Sequence, residues 1–416
     1  MMDTSRLNTY AELLVRSGLS VRPGQKLVIR SSTGQALLVR AIAAAAYAAG
    51  AASIRVDWND QAVERLAWLH ESEDQLAEIE PWWLARLAQD ADQATAVLHL
   101  ADRDPEGLAD VDSQLIMRVQ QRRFPVIKPI HERSENRYVW VIAAAASPAW
   151  AGRVYPDLDP DTATATLWER ILESVHMQPG DDGATAAARW DSHQARLAER
   201  GRRLTSLGLV EMRFRSANGT DFRAGLIPGA LWMGGGDTTL DGKQFSPNMP
   251  TEEIFTSPRR GDADGWLVAT KPLSLNGKLI DDFRIRFADG KAVEWSAGTG
   301  RDALDALIAL DEGAAYLGEL ALVPQSSPIQ QAGVLFHSTL FDENASCHVA
   351  LGRGFSNLIP NHENLSKQEL TDLGLNDSMT HVDFMIGSSD LAVDGVLPDG
   401  SLVPILRDGE WVGDFA

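Results

Sequence analysis

Apolar and polar residues in the first half of the chain follow alternating strand and helix patterns. Residues 26–32 form a short apolar run and residues 53–60 alternate apolar with polar side chains, so both stretches predict strands. Between them, residues 37–49 are rich in Ala and Leu and end at a glycine, as a helix does. The same patterns predict further strands at 95–100 and 124–129, and further helices at 112–122 and 162–176. This order predicts an α/β N-terminal domain with a mostly parallel sheet.

The second half alternates more strictly, and its apolar runs are joined by Asx-Gly pairs. Asn218-Gly219 and Asp289-Gly290 each lie between two such runs, which predicts two β-hairpins. Three more pairs, interpreted as turns, follow near the C-terminus and begin at Asp394, Asp399 and Asp408. One helix is predicted near 300–317. The pattern is typical of an α+β C-terminal domain rich in antiparallel strands.

A segment rich in Gly, Asp and Ala at 178–193 marks the change between the halves. It predicts a linker, followed by a helix over about residues 192–204. We therefore expect an N-terminal domain at 1–185 and a catalytic, metal-binding domain at 186–416. The glycine motifs that bind nucleotide phosphates, G-x-G-x-x-G after the first strand and G-x-x-x-x-G-K-[ST], do not occur in the sequence, so nothing indicates a nucleotide cofactor.

Composition narrows the kinds of partner that the protein can have. The 416 residues are 23% charged and 44% hydrophobic, as in a folded globular protein. A net charge of −20 argues against nucleic acid and against anionic membrane surfaces, because both need clustered Lys and Arg. Cys347 is the one cysteine, which fits a reducing compartment. Because the N-terminal residues lack an apolar signal core, we expect a cytoplasmic protein.

Two acid and imidazole pairs stand out in the C-terminal half. His381 and Asp383 are two residues apart, a spacing that puts both side chains on one face of a strand. Glu343 and His348 are five apart and can converge only if a turn separates them. Each pair taken alone is explained as well by a hydrogen-bonded surface pair or a core histidine.

Isolated carboxylates accompany these pairs. Glu319 opens an apolar run, and Glu252-Glu253 follow Pro250-Thr251, where acids also suit the first turn of a helix. Several oxygen ligands with two imidazoles suit Zn, Mn or Co and permit two ions that share a carboxylate. A cation would also offset the cost of burying carboxylates among apolar residues. Together the residues predict a divalent metal site.

Four long segments resemble the signature segments of the M29 metallo-aminopeptidases, the aminopeptidase T group. They are, in order, NMPTEEIFTSP, LGELALVP, TLFDENASCHVALG and HVDFMIGS. The resemblance extends over almost the whole chain, and the order of four long motifs makes it specific.

The resemblance implies a cytoplasmic homodimer that removes N-terminal residues from small peptides with a free N-terminus. Such an enzyme would use two divalent ions per chain (Zn, Co or Mn) and a metal-activated water. The metal ligands then fall on Glu253, Glu319, Glu343, His348, His381 and Asp383. By analogy with other dinuclear aminopeptidases, Glu252 is expected to be the general base.

One position departs from the family pattern. The family usually has a tyrosine soon after the ALG of the histidine motif, whereas ALGRGFSN places Phe355 there. A phenol near the metals could donate to the oxyanion of the tetrahedral intermediate, and losing one such donor typically costs about 10²–10³ in kcat. Either another group such as Arg353 or His337 takes its place, or the enzyme is slow or has altered substrates.

Two other functions stay open at this point. A mononuclear non-haem iron oxygenase needs two histidines and one carboxylate, which His348, His381 and Asp383 would supply while the glutamates stayed without a role. A catalytically weakened homologue that only binds peptide or metal is the other, and Phe355 is the feature that favours it.

Overall fold

The structure is a computed structural model that describes residues 3–134, 137–275 and 278–416. The chain folds into two compact units, one of Met1–His193 with Gly236–Pro250 and one of Gln194–Gly235 with Thr251–Ala416. The domain boundary expected between residues 185 and 186 stays a prediction. Within the described ranges, no helix combines the length and the apolar character needed to cross a membrane.

The described residues form α-helices and β-strands in both units. The α-helices are α1 Thr4–Leu13, α2 Ala36–Ala48, α3 Gln61–His70, α4 Glu73–Ala77, α5 Pro81–Asp92, α6 Ser113–Ser134, α7 Pro148–Val154, α8 Pro160–Ser174, α9 Gly183–Ser206, α10 Arg301–Ile308, α11 Pro328–Gln331, α12 Thr339–Asp342 and α13 Lys367–Asp372. The strands are β1 Lys26–Ser32, β2 Ser53–Asn59, β3 Ala96–Ala101, β4 Trp140–Ala144, β5 Glu211–Arg215, β6 Asp221–Leu226, β7 Asp237–Thr238, β8 Gln244–Phe245, β9 Asn248–Met249, β10 Ile254–Thr256, β11 Pro258–Val268, β12 Leu273–Leu275, β13 Lys278–Ala288, β14 Lys291–Thr299, β15 Leu317–Leu322, β16 His348–Gly352, β17 His381–Met385, β18 Ala392–Val396, β19 Leu402–Arg407 and β20 Glu410–Trp411.

A parallel sheet in the order β2-β1-β3-β4-β9 forms the centre of the first unit. Its inner strands β1 and β3 bury consecutive apolar residues, including Val28, Ile29, Val97 and Leu98. Runs of this kind are typical of parallel strands that are covered on both faces. The predicted α/β domain with a mostly parallel sheet is confirmed.

The strand predicted at residues 124–129 is wrong, because these residues belong to α6. Pro125 and Pro129 cannot donate to a strand ladder, and Phe124 and Val126 are exposed, so the segment does not supply a buried strand. The fourth strand of the sheet is β4.

The predicted linker at 178–193 is also shorter than expected. The carboxylate of Asp182 accepts the Thr185 N–H at 2.8 Å and so caps the helix that begins at Gly183. The Ala-rich residues that follow favour helix, and α9 therefore covers more than the predicted 192–204.

The described residues of the second unit form two antiparallel sheets. The larger runs in the order β12-β13-β11-β6-β5-β18-β19-β20, with β14 paired to β13. The hairpin between β13 and β14 turns at Asp289-Gly290, where both residues have positive φ, +48° and +78°. Positive φ at both positions is what a type I′ turn requires. The smaller sheet has the order β10-β15-β16-β17, and the predicted antiparallel α+β domain is confirmed.

In this unit the turn predicted at Asp394 is wrong, and the helix predicted near 300–317 is present but shorter. Asp394 lies inside β18, where it forms an ion pair with Arg407 at 2.5 Å, and the side chain of Leu209 packs against Gly395. The helix near 300–317 ends at Ile308. The Asp311 carboxylate accepts the Ala314 N–H at 2.8 Å, a local bond that draws the backbone away from helix.

One apolar core joins the facing sides of the two sheets. Phe283 and Ile285 of the larger sheet and Leu320, Val349 and Phe384 of the smaller sheet belong to it. The Phe283 and Phe384 rings lie 5.5 Å apart. The smaller sheet therefore buries one face in this core, and its other face is available for polar chemistry.

Candidate metal centre

The polar face of the smaller sheet carries most of the predicted ligands. In β17, Val382 and Phe384 pack on the core, so His381 and Asp383 point to the other face. In β16, Val349 packs on the core, and His348 is correspondingly on the polar face. The register between β16 and β17 supports this placement. His348, Ala350 and Gly352 of β16 lie opposite Met385, Asp383 and His381 of β17.

A β-bulge at Gly318 brings Glu319 to the same face. Leu317 pairs with Leu351 while Glu319 pairs with the next residue, Ala350, so one extra residue is inserted in β15. Without this insertion, Leu317 and Glu319 would share a face, but Leu317 lies in the core. A Cβ on Gly318 would lie 2.3 Å from the carbonyl oxygen of Arg353, so the close approach requires glycine.

Two groups of ligand atoms lie on this face, and Glu319 belongs to both. Glu253, Glu319 and His348 form one group, and Glu319, His381 and Asp383 form the other, with the ligand atoms of each group within 4.8 Å of one another. His348 Nε2 lies 3.2 Å from Glu253 Oε2, and His381 Nε2 lies 3.0 Å from Glu319 Oε2 and 3.4 Å from Asp383 Oδ1. A carboxylate shared by two groups is the arrangement expected of a bridging ligand.

Backbone carbonyls fix the orientation of both imidazoles. His348 Nδ1 lies 3.0 Å from the Ser346 oxygen, and His381 Nδ1 lies 2.7 Å from the Arg353 oxygen. A carbonyl oxygen only accepts, so each Nδ1 carries the proton that it donates. Nε2 of each ring therefore faces the carboxylates, as in histidines that bind a metal through Nε2.

Glu343 lies close to the two groups, and Glu252 directly precedes Glu253 in the chain. Glu343 starts a 3₁₀ turn and is partly buried, and its Oε1 accepts from Asn344 Nδ2 at 3.4 Å. The turn that the sequence predicts between Glu343 and His348 is thus present. Glu252 is buried, and its N–H donates to Asn344 Oδ1 at 2.7 Å. Neither residue is among the ligand atoms of the two groups.

Burial and crowding shift the acid–base properties of these side chains. Burial, with the charge of Asp383, raises the pKa of Glu319 to about 7 in spite of its hydrogen bond with His381. Burial lowers the pKa of His348, but its hydrogen bond with Glu253 and the surrounding carboxylates raise it to about 10. Burial, together with the charges of Glu253 and Asp383, raises the pKa of Glu343 well above its usual range.

The second imidazole shows the same balance. Burial lowers the pKa of His381, and the hydrogen bonds with Asp383 and Glu319 raise it well above its usual range. Burial raises the pKa of Asp383, but the hydrogen bond with His381 and the nearby imidazole charges bring it below 3.8. Positive charge on the rings thus compensates the carboxylates.

The residues fit a divalent cation. Asp383 Oδ1 is buried and lies in a long contact of 3.4 Å with His381 Nε2, which leaves it a lone pair for a cation. The two Nε2 protons that face carboxylates occupy positions that a cation would take. Carboxylates with two imidazoles are ligands that Zn, Mn and Co share.

Comparison with known proteins identifies the family. The sequence model of a family described as thermophilic metalloprotease (M29) matches residues 3–411. The chain belongs to the M29 family. Aminopeptidase 2 of Geobacillus stearothermophilus, to which the chain is similar, is 39% identical over 99% of this chain and 98% of its own length. The M29 membership predicted from the sequence is confirmed.

Solved structures agree with the M29 assignment. The structure of wild-type AmpT from Thermus thermophilus matches with a TM-score of 0.90 at 34% identity, covering 99% of this chain and 100% of that one. A weaker likeness, to 2,5-dihydroxypyridine dioxygenase from Pseudomonas putida KT2440, has a TM-score of 0.51 at 13% identity over 99% and 98% of the two chains. The second likeness concerns the fold alone.

Phe355, where the resemblance leads us to expect a tyrosine, lies directly beside the site. Its ring is 4.9 Å from the ring of His381 and 5.5 Å from that of Phe255. Its N–H donates to Ser257 Oγ at 3.0 Å. The phenyl ring therefore covers a candidate ligand imidazole with an apolar surface and offers no hydroxyl.

Several contributors to this M29 site carry no signal in the sequence. The carbonyls of Ser346 and Arg353 act through the backbone, which any residue has. Phe255 faces the site because it pairs with Ala321, and this pairing depends on the register between β10 and β15. Gly318 could have been singled out as a glycine within a strand, which is a signal for a bulge. Cys347 lies in the core, where burial raises the pKa of its thiol to about 12.

Proposed function

We propose that this chain is a metal-dependent aminopeptidase that removes N-terminal residues from peptides at a dinuclear divalent metal site. The observation that carries the proposal is the position of Glu319 in both ligand groups. The enzyme class, a hydrolase acting on peptide bonds, is confirmed by full-length relatives that are aminopeptidases. Binding of divalent metal follows from the M29 family.

The finer assignments are part of the proposal. Two ions, Zn, Co or Mn, would be held by Glu253, Glu319, Glu343, His348, His381 and Asp383. The geometry supports five of these ligands directly, and Glu343 is coupled electrostatically to Glu253 and Asp383. The cytoplasmic location and the homodimer stay predictions.

Different residues of the chain would take different roles in peptide hydrolysis. When bound, the ions supply a Lewis acid for the peptide carbonyl and lower the pKa of the attacking water. The carboxylates around the site attract the free α-ammonium of a peptide, which restricts cleavage to the first bond. Glu252 is proposed to take a proton from the attacking water and to deliver it to the leaving amine.

Phe355 limits what the protein itself can donate. Because a phenyl ring has no O–H, stabilisation of the oxyanion by this residue is absent, and the chemistry depends more on the cations. The same ring, tilted against His381 and near Phe255, presents an apolar wall to the substrate. We therefore propose a preference for apolar N-terminal side chains.

The iron oxygenase alternative accounts for fewer residues. It needs His348, His381 and Asp383 only. Glu253 and Glu319 lie within 3.2 Å of the two Nε2 atoms, which supports a centre that includes both glutamates. The likeness to a dioxygenase concerns the fold and adds nothing for that chemistry.

Turnover of leucine p-nitroanilide tests the proposal. The protein is stripped of metal and assayed with Co²⁺, Zn²⁺ or Mn²⁺, with N-acetyl-leucine p-nitroanilide as the blocked control. We expect cleavage of the free anilide only, and only with metal. Glu319→Gln should lose more than about 100-fold in activity, beyond the 10–100-fold that loss of an outer-shell partner costs.

The matched control is Glu294→Gln, at an exposed glutamate of β14, which should behave as the parent protein. Failure of a metal-loaded protein to cleave any free leucine substrate would overturn the proposed function. Equal cleavage of the acetylated anilide would contradict the assignment as an aminopeptidase.

A further inference from the structure

A short segment between β11 and β12 lies along the edge of the metal-bearing sheet. The Thr270 N–H donates to the Met385 carbonyl at 2.8 Å. Met385 is the last residue of β17, two positions after Asp383, and it stands opposite His348 in the register. The Thr270-Lys271 segment is therefore held next to the candidate centre by the strand that supplies two of its ligands.

Two polar groups of this segment have no partner among the described residues. Thr270 Oγ1 is buried and makes no hydrogen bond. Lys271 is half-buried and forms neither a hydrogen bond nor an ion pair within the described part of the chain. A buried hydroxyl and a cation without partners both cost free energy, which a ligand able to accept hydrogen bonds and carry negative charge would offset.

The charges around Lys271 favour the binding of a negatively charged ligand. Burial lowers the pKa of the Lys271 ammonium, and Asp342 is the carboxylate whose charge opposes this effect. Asp342 is itself occupied, because its two oxygens accept the N–H groups of Phe336 and Ser338 at 2.8 and 2.9 Å. Asp342 thus acts on Lys271 through charge alone, and an anionic ligand would add the hydrogen-bonded counterion that the described residues do not supply.

The distance between Asp383 and this segment indicates how long the anionic ligand is. Residues two apart on a strand are separated by about 7 Å, so the segment beside Met385 lies about that far from Asp383 along the sheet. An extended dipeptide spans about 7 Å. A dipeptide with its N-terminus at the ligand groups could therefore bring its C-terminal carboxylate to the segment.

We propose that Lys271 Nζ and Thr270 Oγ1 form a subsite for the C-terminal carboxylate of dipeptide substrates. This inference rests on the aminopeptidase function proposed above. Both groups donate hydrogen bonds, and the ammonium adds charge, so the bond to a carboxylate is charge-assisted. The subsite would make free dipeptides better substrates than dipeptide amides or longer peptides, whose carboxylate is absent or lies elsewhere.

The test compares Leu-Ala with Leu-Ala amide in the metal-loaded protein, with leucine p-nitroanilide as the reference substrate. The free dipeptide should have the higher kcat/KM, on the order of 10–100-fold, mainly through KM, as expected for loss of a charged hydrogen bond. Lys271→Met should bring this ratio close to one, while Lys271→Arg keeps most of it. Lys291→Met, at an exposed lysine of the same unit, is the matched control and should keep the parent ratio.

The outcomes separate this inference from the function on which it rests. A protein that cleaves the anilide but treats the acid and the amide alike overturns the subsite alone. A Lys271→Met protein that keeps the full preference does the same. A metal-loaded protein that cleaves none of the three substrates overturns the proposed function and the subsite with it.

Discussion

Glu319 shows at the level of one residue how the site balances its charges. It is 4% exposed, it lies 3.0 Å from His381 Nε2, and it shares a ligand group with Glu253 and His348. Several carboxylates buried this closely repel one another, and protons on the imidazoles compensate them in the metal-free protein. A divalent cation can replace these protons, which links metal binding to pH.

Metal affinity should therefore rise with pH. The pKa values of Glu319 and His348, about 7 and about 10, lie above their ordinary 4.5 and 6.5. These protons stabilise the metal-free fold below the ordinary pKa values, and the stabilisation is lost as the pH rises through 7 and then 10. Because the cation displaces the same protons, its apparent Kd should fall about tenfold per pH unit for each displaced proton between pH 6 and 8.

Calorimetric titration of metal-free protein with Co²⁺ at several pH values, in buffers of different ionisation enthalpy, measures both the Kd and the protons released. Release of one or more protons per ion is expected. A Kd that stays constant from pH 6 to 8, with no proton release, would show that His348 and Glu319 are not ligands.

At the level of elements, the site depends on strand alternation and one bulge. Alternation alone predicts that His381 and Asp383 share a face, and a turn before His348 is predicted from its neighbours. The position of Glu319 could not be predicted, because its face depends on the extra residue at Gly318 and on pairing with β16. Register between distant strands is set by the core, which the local sequence does not contain.

Gly318→Ala should damage the site more than the fold. The new Cβ would lie 2.3 Å from the Arg353 oxygen and 2.5 Å from the Gly352 oxygen, so this backbone must move. The Arg353 oxygen holds His381 Nδ1, and its displacement turns the imidazole away from Glu319. We expect a loss of metal affinity of about 10–100-fold, as for other partners that orient a ligand.

Metal titration and thermal unfolding together measure this effect. Gly152→Ala is the control, because a Cβ there meets no atom within 4 Å and α7 should gain about 0.5–1 kcal/mol from alanine. A Gly318→Ala protein with unchanged metal affinity would mean that the bulge does not position Glu319.

At the level of the whole molecule, sequence patterns predict the parallel sheet and the antiparallel sheets but not every element. The sequence pattern at 124–129 predicts an apolar strand. In the structure these residues belong to α6, and Phe124 and Val126 are exposed. Asp394-Gly395 reads as a turn, yet Leu209 packs on the glycine within a strand. In both cases contacts between residues distant in sequence determine the secondary structure, and a local sequence pattern does not contain those contacts.

The number of ions that restores activity tests the central claim most directly. Metal-free protein is titrated with Co²⁺ while leucine release from a leucyl peptide is followed. Because Glu319 joins two ligand groups, activity should rise until two equivalents per chain are bound and then stay constant. Full activity at one equivalent, or none at any ratio, would contradict a dinuclear aminopeptidase.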